Sequence, residues 1–222
     1  MRKRKSTVPR AEGTKERIRV AALHEFSLHG FSGARVDRIA ATAKVNIRMI
    51  YYFFGSKRKL LEAVVGDIFR KRQAQLVADY GDIGDLLVNY YDGYAEDSQR
   101  VRLLQWEALQ TSLPRGAAKL TDFKGRREVI RCRISSIVDL QKRKAMPGEL
   151  DPELLYLAFV ALSIYPMTFP QSVFIATGKH ATDPAFQNKY RAFLRQLADI
   201  LQNRPGQFAR PVVGKPSRRT RP

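Results

Sequence analysis

The chain has 222 residues, a formal net charge of +19 and a pI near 10.4, so it can hold one small and one larger domain with a real core, and it favours a polyanionic partner. That balance alone leaves DNA, RNA, a membrane surface and a ribosome open. A single cysteine, Cys132, excludes an internal disulfide, no apolar run is clean enough to span a bilayer, and the basic N-terminus lacks the apolar segment of a signal peptide, so a cytoplasmic protein is expected.

In chain order, residues 1–13 open with MRKRKSTVPR, a basic arm without an apolar face, read as disordered; the same tail can touch phosphates or enter a minor groove when DNA is present. A first helix is expected from about Thr14, its N-cap, to His29, with Ile18, Ala22 and Phe26 in its buried stripe and Gly30 as its stop. Val36, Ile39, Ala40 and Ala43 then fall at helical spacing. Lys44, Val45 and Asn46 connect this second helix to a third, with Val45 as the plug and Asn46 as N-cap. In the third helix, Ile47 to Phe53 or Phe54, the expectation is that Ile50, Phe53 and Phe54 face inward. Ile47, Arg48, Met49, Tyr51 and Tyr52 then project outward or along its flanks, an unusual surface unless it docks on something. Gly55, Ser56 and Lys57 break the helix, and Ser56 caps a long helix running from Lys57 toward Tyr80.

The remainder reads as helices with short breaks. Asp85 to Glu96 carries Leu87, Tyr90, Tyr91 and Tyr94; Ser98 to Leu113 carries Val101, Leu104, Ala108 and Leu109 and stops at Pro114. Thr121 to Met146 places Ile130, Ile134, Ile137 and Val138 inside and its Arg and Lys outside, ending at Pro147 and Gly148. Asp151, Pro152 and Glu153 start a helix that is apolar nearly all round to Ile175, interrupted by Pro166 and Pro170. Asp183 and Pro184 start the last, with Phe186, Tyr190, Phe193, Leu197, Ile200 and Leu201 in one wide stripe. Residues 204–222, rich in Pro, Gly and Arg, read as a disordered basic tail.

Val45, Asn46, Ile50, Tyr51, Tyr52, Phe53, Phe54, Ser56 and Lys57, with Phe26, Gly30, Phe31, Val36, Ile39 and Ala40 upstream, resemble the DNA-binding domain of the TetR family of bacterial transcriptional regulators. The resemblance is specific over roughly residues 14 to 62. It departs at Lys44, where Gly is usual, at Arg48, where a small residue is common, and at Phe53, where His is common. It implies an all-α protein: a three-helix helix-turn-helix domain over 14–58, then a larger helical ligand-binding and dimerisation domain over 59–203. On this reading Asn46, Ile47, Arg48, Met49, Tyr51 and Tyr52 enter or flank the major groove of a double-stranded DNA operator, with Arg48 matched to a guanine edge. Tyr51, Tyr52 and Lys57 reach phosphates, as Lys44 does by lying close to the backbone; Arg35 holds a phosphate or is simply a solvated charge.

The two apolar C-terminal helices, about 151–178 and 183–203, exceed what one core needs, and in the family such a pair forms a four-helix bundle across a two-fold axis, so a homodimer through them is expected. The family also implies a small-molecule effector. Tyr91, Tyr94, Trp106, Tyr156, Phe159, Tyr165 and Phe169 are the candidate walls of a pocket for an apolar or aromatic ligand, and each is equally well read as an ordinary core aromatic. The expected function is a repressor released from a palindromic operator by that ligand; the alternative is a sequence-nonspecific architectural DNA binder without ligand. An enzyme is disfavoured: His24 and His29 bracket Glu25 but lie five apart, roughly 140° about a helix axis, and cannot share a metal as an i, i+4 pair would. No cofactor or metal site is expected.

Overall fold

Alternation of short apolar stripes with Gly, Pro and Asx punctuation produces helices throughout. The computed structural model describes residues 8–75, 80–111 and 123–203, and those residues form ten helices and no strand. They are α1 (Val8–Gly33), α2 (Val36–Ala43), α3 (Ile47–Phe54), α4 (Lys57–Gln75), α5 (Ile83–Ala95), α6 (Ser98–Thr111), α7 (Phe123–Lys142), α8 (Pro152–Thr168), α9 (Pro170–Thr177) and α10 (Pro184–Gln202). The expected tail at 204–222, residues 1–7 of the arm, the stop at Pro114 and the start at Thr121 lie outside the described residues.

Two large apolar clusters organise the chain. In the first, Ile18, Ala22 and Phe26 of α1 meet Ile39 of α2, Ile50 of α3 and Leu60 and Val64 of α4. This core continues along α4 to Ile68, past the boundary at residue 58 expected from sequence, and takes in Leu103 of α6. Each fully buried Ile, Leu, Val or Phe among them contributes about 1.5–3 kcal/mol. In the second, Leu86, Leu87, Tyr90 and Tyr91 of α5 pack between Phe159 of α8 and Leu194 and Ala198 of α10. Arg191–Asp92 and Arg195–Asp85, at 2.7 and 2.9 Å, join α10 to α5 along the rim of that contact.

Several expected boundaries move. The first helix begins at Val8, inside the stretch read as a disordered arm, so Thr14 is interior to it and is not its N-cap. It passes through Gly30 in a non-helical conformation, φ 63° and ψ −177°, and resumes to Gly33; Gly30 is a kink, not a stop. Tyr80 lies outside any helix, and α4 is described to Gln75. The sixth helix buries Val101 and Leu103, whereas Ala108 and Leu109 are exposed.

The phase of α7 also differs. Val129, Arg133, Ile137 and Leu140 are its buried positions, and Ile130 is exposed. An arginine on the inner face displaced the apparent stripe by one residue. That helix ends at Lys142, before Pro147: Lys144 takes φ 56°, its N–H reaches Gln141 O at 3.0 Å, and Ala145 N–H reaches Leu140 O at 2.9 Å. Further on, Asp151 caps α8 by accepting from the N–H groups of Glu153 and Leu154. Asp183 occupies the N-cap position of α10, but its carboxylate accepts from His180 N–H at 2.8 Å. No single helix among the described residues is long and apolar enough to cross a membrane, and α8 and α9 are bent by 81° at their junction.

Candidate nucleic-acid interface

The α2–α3 unit is built from backbone hydrogen bonds that the sequence specifies closely. Lys44 closes α2 with φ 53° and ψ 49°, in the left-handed region. Its N–H reaches Ala41 O at 3.1 Å and Val45 N–H reaches Ala40 O at 3.0 Å, the paired bonds of a Schellman closure. Half-buried Val45 then packs on the first core. Asn46 is extended, and its Oδ1 accepts from Arg48 N–H at 2.9 Å, capping α3. Gly55 ends α3 at φ 76°, and Ser56 Oγ accepts from Lys59 N–H at 3.1 Å to start α4.

Ile50 is the buried anchor of α3, with Phe53 and Phe54 half-buried beside it. The opposite face carries Ile47, Arg48, Tyr51 and Tyr52 in solvent; Tyr51 is 48% and Tyr52 79% exposed, while Met49 is half-buried. Tyr52 rests edge-on against Phe53, with ring centroids 5.1 Å apart. An outward pair of tyrosines flanking an arginine, on a helix this firmly seated, leaves apolar rings and donors available to a flat, polar partner.

The cations around this face are not equivalent. Neither Lys44 nor Arg48 has a side-chain hydrogen bond or ion pair among the described residues. Lys57 lies 4.8 Å above the Phe31 ring, near Ser32 O, which fixes its ammonium beside the α1–α2 corner. Arg35 is bound by two bonds to Asp37, at 3.1 and 2.8 Å, and that carboxylate raises its affinity for the proton. A phosphate contact from Arg35 has to displace Asp37.

Glu25 fixes the angle between α1 and α2. Its Oε1 accepts from Arg35 N–H at 2.8 Å and from Arg38 Nε at 2.8 Å. Burial pushes the carboxyl up, but the Arg35 N–H and the Arg38 guanidinium outweigh it and hold Glu25 below the usual carboxylate range. In the sequence this residue stood out only as part of an imperfect metal motif. His24 faces Gln99 at 3.1 Å and His29 lies 3.8 Å from Glu25, so the two histidines are directed to separate partners.

The seven aromatic residues considered for an effector pocket occupy different places. Tyr94 and Tyr156 border a cavity of about 190 Å³ between α4, α5, α6, α7 and α8. Tyr91 is fully buried against Tyr190 of α10, 5.0 Å between rings, and burial pushes its phenol up to about 12 against the opposing pull of Arg191. Phe159 is in the second core. Tyr165 and Phe169 pair with each other at 5.2 Å on an exposed face. Trp106 is partly exposed on α6, and its indole lies over Gly30 of α1, with Nε1 donating to Ser27 O at 3.2 Å. The cavity also contains Arg100, Arg126 and Arg133, which sequence periodicity had placed on no inner face. The spacing of Arg133 between Val129 and Ile137 is the one signal that marks it as inward.

Besides those of α3, exposed apolar side chains run through α8, α9 and α10, with Phe174 and Ile175 uncovered on α9. Leu154, Leu157, Phe193 and Ile200 all face solvent in the single chain; Leu157 is 59% and Ile200 55% exposed. Thus α10 is apolar on two sides, one turned to α5 through Leu194 and Ala198 and one uncovered.

Comparison with known proteins follows the same division. A family model described as bacterial regulatory proteins, tetR family, matches residues 18–64. Over 191 residues the chain is 30% identical to the HTH-type transcriptional repressor SCO4008 of Streptomyces coelicolor, spanning 85% of this chain and 96% of that one. It is also 37% identical over 110 residues to the HTH-type transcriptional repressor NicS of Pseudomonas putida, spanning 46% and 52% of the two chains. Among solved structures, a putative transcriptional regulator, SCO4942 of Streptomyces coelicolor, superposes with a TM-score of 0.70 at 24% identity over 86% of this chain and 99% of that one. The regulator FadR of Bacillus subtilis, solved with stearoyl-CoA, gives 0.62 at 14% identity over 81% and 96%.

Proposed function

The chain belongs to the TetR family of bacterial transcriptional regulators, as a DNA-binding repressor, and we propose that it acts as a homodimer on a palindromic operator that a small-molecule effector makes it release. The observation that carries this reading is the outward face of α3: Ile47, Arg48, Tyr51 and Tyr52 sit in solvent on a helix whose start, turn and buried side are all fixed by hydrogen bonds and packing. Arg48, unengaged by its neighbours, reads a base edge, where its fork matches the O6 and N7 acceptors of guanine. Asn46, Ile47 and Met49 lie along the groove. Tyr51, Tyr52, Lys44 and Lys57 contact phosphates, and Arg35 joins them if Asp37 yields it.

One α3 spans only a few base pairs, so two copies related by a dyad are needed for a usable site. The uncovered faces of α8 and α10 supply a self-complementary surface for that dyad. The effector acts in the domain built on α5 to α10 and moves α4, whose Lys57 end supports α3 while Ile68 and Phe69 border the cavity. Displacement of α4 changes the distance between the two reading heads.

Selection of bound sequences from a random DNA pool tests the proposal. A palindrome with half-sites about one helical turn apart is expected. Recovery of unrelated sequences with no enriched motif instead indicates an architectural DNA binder and overturns it.

A further inference from the structure

Arg133 presents an unusual feature of the second domain: a permanent cation that is only 7% exposed, on the inner face of α7. No carboxylate among the described residues pairs with it. Its guanidinium lies 4.5 Å above the Tyr90 ring, the Tyr94 and Tyr156 phenols face its charge, and its Nε has no hydrogen-bond partner. Burying a cation without a counter-ion is costly, because the lost hydration is not returned by neutral hydroxyls and a ring face. Nearby, Arg126 stacks 4.7 Å from the Phe69 ring and gives both terminal nitrogens to Glu107, at 2.5 and 3.0 Å, while its Nε also has no partner.

Arg126 and Arg133 both border the cavity of about 190 Å³, whose remaining walls include Phe69 and Ile130. We propose that this cavity is the effector site and that the effector is a small organic monoanion: an acid group held by Arg133 and the Tyr94 and Tyr156 hydroxyls, on an apolar or aromatic body held by Phe69 and Ile130. The inference rests on the regulator reading above and specifies its ligand. Arginine's planar fork suits a carboxylate or a phosphate equally. The volume, below the ~300–1,000 Å³ of drug-sized sites, restricts the body to about one ring or a short chain.

The site also links ligand to reading head. Arg126 bridges α7 to Phe69 of α4, so an anion beside Arg133 competes with Glu107 for Arg126 and alters the seat of α4.

Calorimetric titration of the full chain with benzoate, phenyl phosphate and neutral benzamide tests this. At least one anion is expected to bind tenfold or more tightly than benzamide, and Arg133→Gln to abolish that difference. The two anions separate a carboxylate site from a phosphate site. Because Arg133→Gln can itself loosen the core, binding is also located in the unsubstituted protein, where the methyl resonances of Ile68 and Ile130 should shift with the preferred anion. Failure of both anions to exceed benzamide, preference surviving in Arg133→Gln, or shifts confined to other isoleucines each overturns the proposal. A palindrome recovered from the DNA pool together with no anion preference removes the anion site and leaves the regulator reading standing.

Discussion

Trp106 of α6 lies face-on to Gly30 of α1: a Cβ at Gly30 would stand 2.9 Å from the indole Cδ2 and Cε3 atoms, and Gly30 itself takes φ +63° and ψ −177°. That backbone region is accessible essentially to Gly alone. The indole Nε1 also donates to Ser27 O one turn earlier, so Trp106 joins Leu103 and Gln99 in attaching α6 to the DNA-binding head. Gly30→Ala is therefore expected to cost about 1–3 kcal/mol in urea denaturation, from backbone strain plus the clash. Adding Trp106→Leu should recover the steric part and not the backbone part. Full recovery would show that the conformation of Gly30 carries no strain.

Two lysines close helices by the same bond pair, Lys44 after α2 and Lys144 after α7. A residue with a Cβ pays about 1 kcal/mol for the left-handed region, partly offset by a cation near the helix C-terminus. Both Lys→Gly variants should be as stable as the parent or slightly more so in thermal denaturation. Only Lys44→Gly should weaken DNA binding, slightly and on all sequences alike, because it alone adjoins α3. A clear loss of Tm in Lys44→Gly would mean that the charge outweighs the strain.

Base reading and phosphate contact separate by salt and by sequence. Arg48→Ala should cost about 1–3 kcal/mol on the selected site and relax choice at one position. Lys57→Ala should weaken every sequence similarly and lower the salt slope by about one unit. Filter binding on specific and random DNA at several salt concentrations makes the distinction. Equal losses for Arg48→Ala on both would remove it from base reading.

Glu25 makes the head acid-sensitive. Its folded-state pKa is depressed below the unfolded value of about 4.3, so its contribution is fully present above that value and is lost as pH falls through the folded value. Glu25→Gln should lower stability at pH 7 by about 1–3 kcal/mol, since it weakens the bonds to the Arg35 N–H and the Arg38 guanidinium. Below about pH 4 the gap between variant and parent should shrink. A gap independent of pH would assign the loss to packing.

Leu157 and Ile200 test the proposed dimer surface. Leu157→Glu or Ile200→Glu should leave the helical circular dichroism intact, since both side chains face solvent in the single chain, yet shift sedimentation velocity to monomer. Full-site DNA affinity should fall with it. A dimer unaffected by both substitutions places the interface elsewhere.

The sequence by itself determined the reading head. Every instruction from Val36 to Ser56 is local: Ala40 and Ala43 at helical spacing, Lys44 in the left-handed position, Asn46 as cap and Gly55 as stop each act within four or five residues. Local rules also fixed the start of α8, where Asp151 caps and Pro152 supplies the fixed φ. Only the tertiary structure decided the register of α7 and the content of the interior. An apolar stripe is legible when polar residues stay outside, and Arg133 violates that by pointing inward, held by rings from α5 and α8 that are distant in sequence. Gly30 looked like a helix end because its chemistry is identical in a stop and in a kink; the choice was made by Trp106, seventy-six residues away by subtraction, packing over it. The aromatic residues dispersed for the same reason. Composition says that rings are present, but whether Tyr156 lines a cavity and Tyr165 faces solvent depends on which side of α8 meets α5 and α7, a choice made by long-range packing.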